Sequence, residues 1–348
     1  MKNSRLLGIS GFLFSLALAG NVYAVGEYIY TPIMGMVQPN DINEAGQVVG
    51  NSAAFNSKPA IWEDGTLTIL TNPPEAIYSS TAYSINEAGQ VAGYIGTAAG
   101  RKYFLWDSNS PIIYIDLAKP ISEAHINDSG VIALMADDTG QRLPYLYDNG
   151  VLALADNSGQ IRSITGMNNH GVIVGYSSLN EAYSLINGVI TFLGKLSDVG
   201  SSVAFDISNN SYNIVGASNV DNGNLQAVLW DSQSITSIGG DHTIARGVND
   251  RKQIVLEICE LPGESGCEAG LWEDNQLYNL NDLVITEGAP TLVNASAINN
   301  SGQIVGRDIN LQAYLLTPIH APQPLSIFPW EIFMPAILHG GNSKSPTP

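Results

Sequence analysis

The chain has 348 residues, with 32 acidic against 14 basic side chains and a formal net charge of −18 at pH 7. That balance disfavours nucleic acid, whose phosphates need clustered Lys and Arg, and it disfavours anionic membrane surfaces. Only 13% of the residues are charged, so the acidity reads as solubility for an exported protein, with divalent cations or basic partners as the less favoured reading.

The first 24 residues read as a secretory signal peptide. Lys2 and Arg5 give a basic start, residues 6–19 are an apolar run, and Val22-Tyr23-Ala24 fits a small-x-small cleavage site. The run is shorter than a membrane span requires, and no later segment offers a transmembrane helix. The expected location is the periplasm or the cell exterior.

Residues 27–33 are strand-like, with Tyr28, Ile29 and Tyr30, and have no hairpin partner nearby. A nine-residue phrase then begins. Its clearest copies are Ile42-Asn43-Glu44-Ala45-Gly46-Gln47-Val48-Val49-Gly50 and Ile298-Asn299-Asn300-Ser301-Gly302-Gln303-Ile304-Val305-Gly306. Further copies start at Ile85, Ile126, Met167, Ile207 and Val248. A spacing of about 41 residues with strand-like content signals a repeat architecture. Within each phrase, the Asn bonds its own turn and a Gly three residues later supplies positive φ, so the phrase is a hairpin. The fifth copy has an extra residue and the sixth has Lys252 at the Gly position, so looser turns are expected there. A calcium loop is rejected, because such a loop needs six or more oxygens and each turn offers two.

After each hairpin comes a third strand, as in Ala60-Ile61-Trp62, Phe104-Leu105-Trp106 and Val228-Leu229-Trp230, and then a turn and a fourth strand, at 66–70, 112–117, 151–154, 189–193 and 276–280. Trp62, Trp106, Trp230 and Trp272 recur at one structural position, which makes them core. Four short antiparallel strands per period make one propeller blade. The seventh repeat stops at Thr317-Pro318 without its fourth strand. Residues 27–33 occupy that position one period before the first repeat. The expected fold is therefore an all-β, seven-bladed propeller over 27–317, closed by the N-terminal strand on the last blade. An open solenoid is the alternative.

Cys259 and Cys267 flank a Pro-Gly and Ser-Gly turn, and in an exported chain they are expected to pair. The tail, 318–348, is Pro-rich, and its apolar stretch, 327–338, is interrupted by Pro329, Glu331 and Pro335. It reads as a poorly ordered tail with one hydrophobic docking segment.

The phrase, the following Phe-Leu-Trp type strand and the Leu-ending fourth strand together resemble the HAF repeat family of exported bacterial proteins. The closing arrangement looks like that of WD-repeat propellers. The resemblance covers residues 27–317 and implies a secreted repeat protein with no established activity, so it carries over no catalytic residue. Leu134 and Leu256 depart from it, standing where Gly ends the other phrases.

The connections between strands two and three, and between blades, vary in length and gather on one end of the ring. Function usually sits on variable loops held by a rigid scaffold. Candidate ligand contacts there are Tyr78, Arg101, Asp137, Asp138, Asp198, Asp221, Arg307 and Asp308. The longest insertion, 281–293, either caps the channel or is a plain surface loop. The five His residues have no zinc spacing, and no nucleophile-elbow, phosphate-loop or dinucleotide motif is present, so neither a metal nor a cofactor is expected. The sequence points to a monomeric, non-enzymatic module that binds a protein or glycan. A hydrolase or lyase at the channel mouth and a purely structural surface protein are the alternatives.

Overall fold

The computed structural model describes residues 26–319 apart from 54–56, 71–75, 139, 232–233 and 261–265. The predicted leader and nearly all of the predicted tail lie outside the described residues. The chain forms seven four-stranded antiparallel sheets arranged as the blades of a β-propeller. Blade I is Met36–Ile42, Val48–Ser52, Pro59–Glu63 and Thr66–Ile69, from channel to rim. The innermost strands of blades II to VII are Ala76–Ile85, Pro120–Ile126, Ile161–Met167, Ser202–Ile207, Thr243–Val248 and Leu292–Ile298.

The N-terminal strand Tyr28–Pro32 pairs antiparallel with Ala313–Pro318 and is the outer strand of blade VII, as expected. Closure leaves the ring without a break at which two blades meet only through solvent. The insertion before blade VII neither caps the channel nor lies free. Tyr28 N donates to Leu283 O (2.9 Å), Ile285 N donates to Tyr28 O (3.1 Å) and Tyr30 N donates to Thr286 Oγ1 (2.9 Å). The insertion is thus a clasp along the exposed edge of the closing strand.

The core lies between blades. Each of seven buried clusters draws on two neighbouring blades, for example Val49 and Ile61 with Ala82, Ile85, Val91 and Phe104. The cluster holding Trp62 joins blade I to Val305 and Leu315 of blade VII. Trp62, Trp230 and Trp272 are buried and Trp106 packs against the cluster between blades I and II. Burying such a side chain is worth roughly 1.5–3 kcal/mol, so the strength of the ring resides in blade-to-blade contact.

The terminal Gly of the phrase has a steric reason. A Cβ at Gly50 would lie 2.0 Å from Gln38 O, and one at Gly306 would lie 1.9 Å from Asn294 O. The innermost strand is bulged here, between Pro39 and Asp41 in blade I and between Ala295 and Ala297 in blade VII, and the bulge brings backbone against backbone. Blade III has no bulge at this point: Ala124, His125 and Ile126 pair in regular order with Leu134, Ala133 and Ile132. A Leu stands there, but blade VI also carries a Leu, Leu256, opposite Ala245 beside a bulge between Ala245 and Gly247, so the bulge alone does not demand Gly.

The phrases also bind one another. Asn43 Nδ2 donates to Asn86 O (3.2 Å), Asn86 Nδ2 to Asn127 O (3.0 Å), Asn249 Nδ2 to Asn299 O (3.0 Å), and Asn299 Nδ2 to Asn43 O (2.9 Å). A second relay uses the next residue. Glu44 N donates to Glu87 (3.1 Å), Glu87 N to Asp128 (3.0 Å), Asp250 N to Asn300 (2.8 Å), and Ser301 N to Glu44 (3.0 Å). In these turns a backbone N–H is left free, and the next blade's side chain accepts it. The phrase is therefore both a hairpin and a link in a girdle around the ring. Between blades IV and V the Asn link is absent, since Asn168 Nδ2 is buried without a partner, and the turns are joined instead by Asn169 N donating to Asn209 O (3.1 Å) and by His170 stacked on Tyr212 (5.5 Å).

The fifth phrase, with its extra residue, does form a wider loop, closed by Ser208 N to Asn213 O. The sixth corrects the expectation of a looser turn. Lys252 takes φ 66°, its N–H donates to Asn249 O (3.1 Å), and the turn matches its Gly-bearing counterparts.

Candidate functional site

Two concave regions stand out, one in the central channel and one on the loop end. The channel has an interior of about 150 Å³ and is lined by innermost-strand and phrase residues, among them Asp41, Tyr83, His125, Thr165, Asp206 and Arg246. Asp41, Ser84, His125 and Asp206 hold the same place in their blades, one residue before the phrase. Asp41 accepts from Ile42 N (2.9 Å) and from Ile85 N of the next blade (2.9 Å). Ser84 accepts from Ile126 N (3.3 Å), and Asp206 accepts from Val248 N (2.9 Å), again one blade on. His125 makes no such bond, and its Nε2 is buried without a partner.

Burial pushes the Asp41 carboxyl up to about 6; backbone N–H bonds and Ser84 pull it down, and the Asp128 charge pushes it further up. Burial pushes Asp206 up to about 7, opposed by the N–H groups of Val248 and Ile207 and reinforced by the charge on Asp41. Burial lowers His125 to about 4, so its imidazole is neutral at physiological pH. Arg246 pairs with Glu257 (2.8 Å) and lies over the Phe205 ring at 4.7 Å. Among the described residues, no three His, Cys, Asp or Glu side chains are grouped as metal ligands. The channel acids stand in different blades, each held by backbone N–H donors.

The second region is a cleft of about 560 Å³ on the loop end between blades IV and V, lined by Leu179, Asn180, Lys195, Val199, Asn219 and Asp221 with neighbouring backbone. Its walls are braced from within. Asn219 Oδ1 accepts from Ser201 N (3.1 Å) and Ser201 Oγ (2.7 Å), Asn219 Nδ2 donates to Gly223 O (2.8 Å), and Lys195 Nζ donates to Gly200 O (2.9 Å). Against this polar frame, Leu179 is 75% exposed and Val199 90% exposed.

The predicted contacts separate. Asp221 lines the cleft and Asp198 is exposed in the same blade IV–V connection as Val199. Tyr78 is exposed at the start of blade II. Arg101 lies over the Tyr94 ring at 4.7 Å and donates to Ile121 O. Asp137 accepts from Gly140 N (3.0 Å) and so forms its own turn. Asp138 ends the same strand, and its side chain lies outside the described part of the structure. Arg307 is half-buried on strand Ile304–Asp308. Asp308 is corrected: it is 1% exposed and accepts from Tyr30 Oη (3.0 Å), Asn310 N (2.8 Å) and Gln312 N (3.0 Å), so it braces its loop and does not face a ligand. Sequence reasoning missed Asp41, His125 and Asp206. The available signal was a titratable residue directly before the Ile that opens a repeat phrase. Cys259 and Cys267 form the expected disulfide.

No protein-family model matches the chain, and no curated protein matches it in sequence. Solved structures share its fold. YCF48 bound to D1 peptide is 11% identical, with 86% of this chain and 97% of that chain covered and a TM-score of 0.56. The β-propeller domain of the Trilobed protease from Pyrococcus furiosus, described as having an open velcro topology, is 10% identical over 87% and 99%, with a TM-score of 0.55. Virginiamycin B lyase from Staphylococcus aureus, catalytically inactive and with quinupristin, is 14% identical over 84% and 100%, with a TM-score of 0.51. At these identities the likeness defines the class, a β-propeller, and nothing narrower. Among the described residues no helix is long and apolar enough to cross a membrane.

Proposed function

We propose that this chain is an exported binding module of the HAF-repeat kind that takes an extended peptide segment of a partner protein on its loop end, in the cleft between blades IV and V. The observation that carries the reading is the pair Leu179 and Val199, two aliphatic side chains held out into solvent on braced loops beside polar groups. Exposed apolar side chains rimmed by polar residues mark interaction sites. A pre-braced cleft loses little entropy on binding. Sugar rings pack on aromatic faces, and the described cleft lining has none, which favours peptide over glycan. That YCF48, of similar fold, is bound to a D1 peptide supports a peptide as the ligand class. The disulfide supports an oxidising location.

Phage-displayed peptide selection on the immobilised protein tests this. Enriched peptides should lose at least tenfold in affinity on Leu179→Asp/Val199→Asp, and keep their affinity on Ile309→Asp, which alters the loop of blade VII. Failure to enrich any sequence, or equal binding by the cleft variant, would falsify the reading. Binding to a glycan array that depends on the same residues would move the ligand class from peptide to sugar.

A further inference from the structure

The loop end of blade VII carries aliphatic side chains in solvent, apart from the cleft. Met34 is 68% exposed, Ile309 59% and Leu311 61%. Their backbones are tied together. Gln312 Nε2 donates to Ile33 O and to Met36 O (3.2 Å), Ile33 N donates to Ala313 O (2.8 Å), and Ile309 N donates to Thr291 O (2.8 Å). Met34 and Leu311 are each one residue from the Ile33–Gln312 bond. The three side chains thus stand on one braced unit at the seam of blades VII and I.

Leu311 is not there for its turn. The turns joining the second and third strands of blades II to V place Gly100, Gly140, Asn180 and Gly223 in the left-handed region, and blade VII places Leu311 there, at φ 62°. The blade IV and blade VII turns are bonded alike. Ser177 Oγ accepts from Leu179 N and Glu181 N, as Asp308 Oδ1 accepts from Asn310 N and Gln312 N. Asn180 N donates to Ser177 O (3.0 Å), as Leu311 N donates to Asp308 O (2.9 Å). Asn tolerates this conformation and Leu is strained in it. Strain of this kind persists at contact sites, and an exposed Leu gains nothing from the core in return.

The chain itself supplies an apolar segment to cover this patch. It leaves blade VII at Ile319, whose N–H donates to Glu27 O (2.9 Å) at the phrase end. Beyond it, outside the described residues, 327–338 holds Ile, Phe, Trp, Met and Leu side chains with one charge, Glu331. Residues 320–326 separate the two and include Pro322 and Pro324. An extended Pro-rich spacer of that length reaches about 22 Å. Strand Ala313–Pro318, which runs from loop end to phrase end, is about 20 Å long. The spacer therefore suffices to return the segment along the rim of blade VII. Ile29 and Ile285 are exposed on the closing strand and its clasp, along that route. A tether this short holds the segment at an effective concentration on the order of millimolar, which favours it over a second copy or a free partner.

We propose that residues 327–338 fold back on the outside of blade VII and dock on Met34, Ile309 and Leu311. This surface is independent of the peptide cleft between blades IV and V.

The test is amide exchange of the full chain, with photo-crosslinking from a benzophenone amino acid in place of Leu311. Exchange in 327–338 should be at least tenfold slower than in an unstructured peptide of that sequence, and the crosslink should fall within 327–338 at monomer mass. Met34→Asp/Leu311→Gly should remove at least tenfold of that protection while blades II to IV exchange as before. Leu311→Gly alone gives the turn the residue that blades II, III and V use. It should therefore leave urea unfolding no less stable and still lower the protection in 327–338 at least threefold, which a residue serving only its turn would not do. Unprotected exchange in the parent overturns the proposal. So do protection that survives the double variant, crosslinks at dimer mass that grow with concentration, and crosslinks that miss the segment. If the double variant does not fold, Leu311→Gly decides in the same way. Release of the segment by the leucine–valine cleft variant would also overturn it, which separates this test from that of peptide binding.

Discussion

Lys252 holds a backbone conformation that five of the other six phrases give to Gly. Its φ of 66° lies in the left-handed region, which costs a side-chain-bearing residue roughly 1–2 kcal/mol. Its ammonium lies 3.9 Å from Asp231 across exposed surface, a pair worth little. Lys252→Gly relieves the strain and returns part of it as unfolded-chain entropy. The expected net gain is about 0.5–1 kcal/mol in urea unfolding; a loss would mean the Asp231 pair outweighs the strain. A second residue-scale effect is set by Asp206 and Asp41. Their carboxyls, at about 7 and about 6, stand above the unfolded value of about 4. The folded protein thus binds protons that the unfolded chain does not, and stability rises as pH falls from 8. Below about pH 6.5 His125 opposes this, because the unfolded imidazole takes up a proton while the buried one waits until about 4. Stability should gain on the order of 1 kcal/mol between pH 8 and pH 6.5 and go on rising toward pH 5, because two raised carboxyls outweigh one lowered imidazole. Asp206→Asn should flatten most of that limb, as read from urea midpoints at the two pH values.

At the scale of the element, the hairpin phrase does two tasks, and they can be separated by substitution. Asn299 is buried; its Nδ2 donates to Asn43 O and to Gln303 Oε1 (2.7 Å), and its Oδ1 accepts from Gln303 N (2.9 Å). Asn168 braces its own turn through His170 N and Val172 N (both 3.0 Å), but its Nδ2 has no partner in blade V. Asn299→Ala should cost about 2–3 kcal/mol, and Asn168→Ala about 1 kcal/mol less, since only the former breaks a blade-to-blade bond. Equal losses in chemical denaturation would mean that the girdle bonds add nothing beyond the turn. The hairpin was legible in the sequence because turn chemistry is local: Asn, then Gly three residues on. The girdle was not. An Asn or Glu in a turn has the same appearance whether it meets water or the next blade, and periodicity carries no direction between blades. Asp41, Ser84, His125 and Asp206 were passed over for a related reason. They share a structural place but not an identity, so the repeat pattern does not mark them. The cleft was legible only through Asp198 and Asp221, because exposure of Leu179 and Val199 depends on how two loops are braced.

At the scale of the whole molecule, closure depends on a chain end, and chain ends ordinarily fray. The missing fourth strand of the last repeat made the closing partner readable, since an exposed edge on blade VII called for a strand that residues 27–33 could supply. The clasp was unreadable, because residues 283–286 carry no turn or repeat signal of their own. Yet the clasp changes what closure means. Tyr28 is 2% exposed, packs into the cluster that joins blades VI and VII, and is hydrogen-bonded to Leu283 and Ile285 on the side away from its strand partner. Opening the ring therefore requires losing two rows of bonds and a buried aromatic side chain together. Amide exchange in residues 28–32 should be as slow as in the innermost strands, where a terminal strand held on one side alone would exchange through local fraying. Replacing residues 283–286 with a Gly-Ser linker of equal length should speed exchange in 28–32 and in Ala313–Pro318 while leaving blades II to IV unchanged. Unaltered exchange in 28–32 would show that pairing with Ala313–Pro318 alone holds the ring shut. Because each core cluster is shared by two blades, release of this strand exposes the VI–VII cluster first and the VII–I cluster next. The order of exchange around the ring should then run outward from blade VII in both directions.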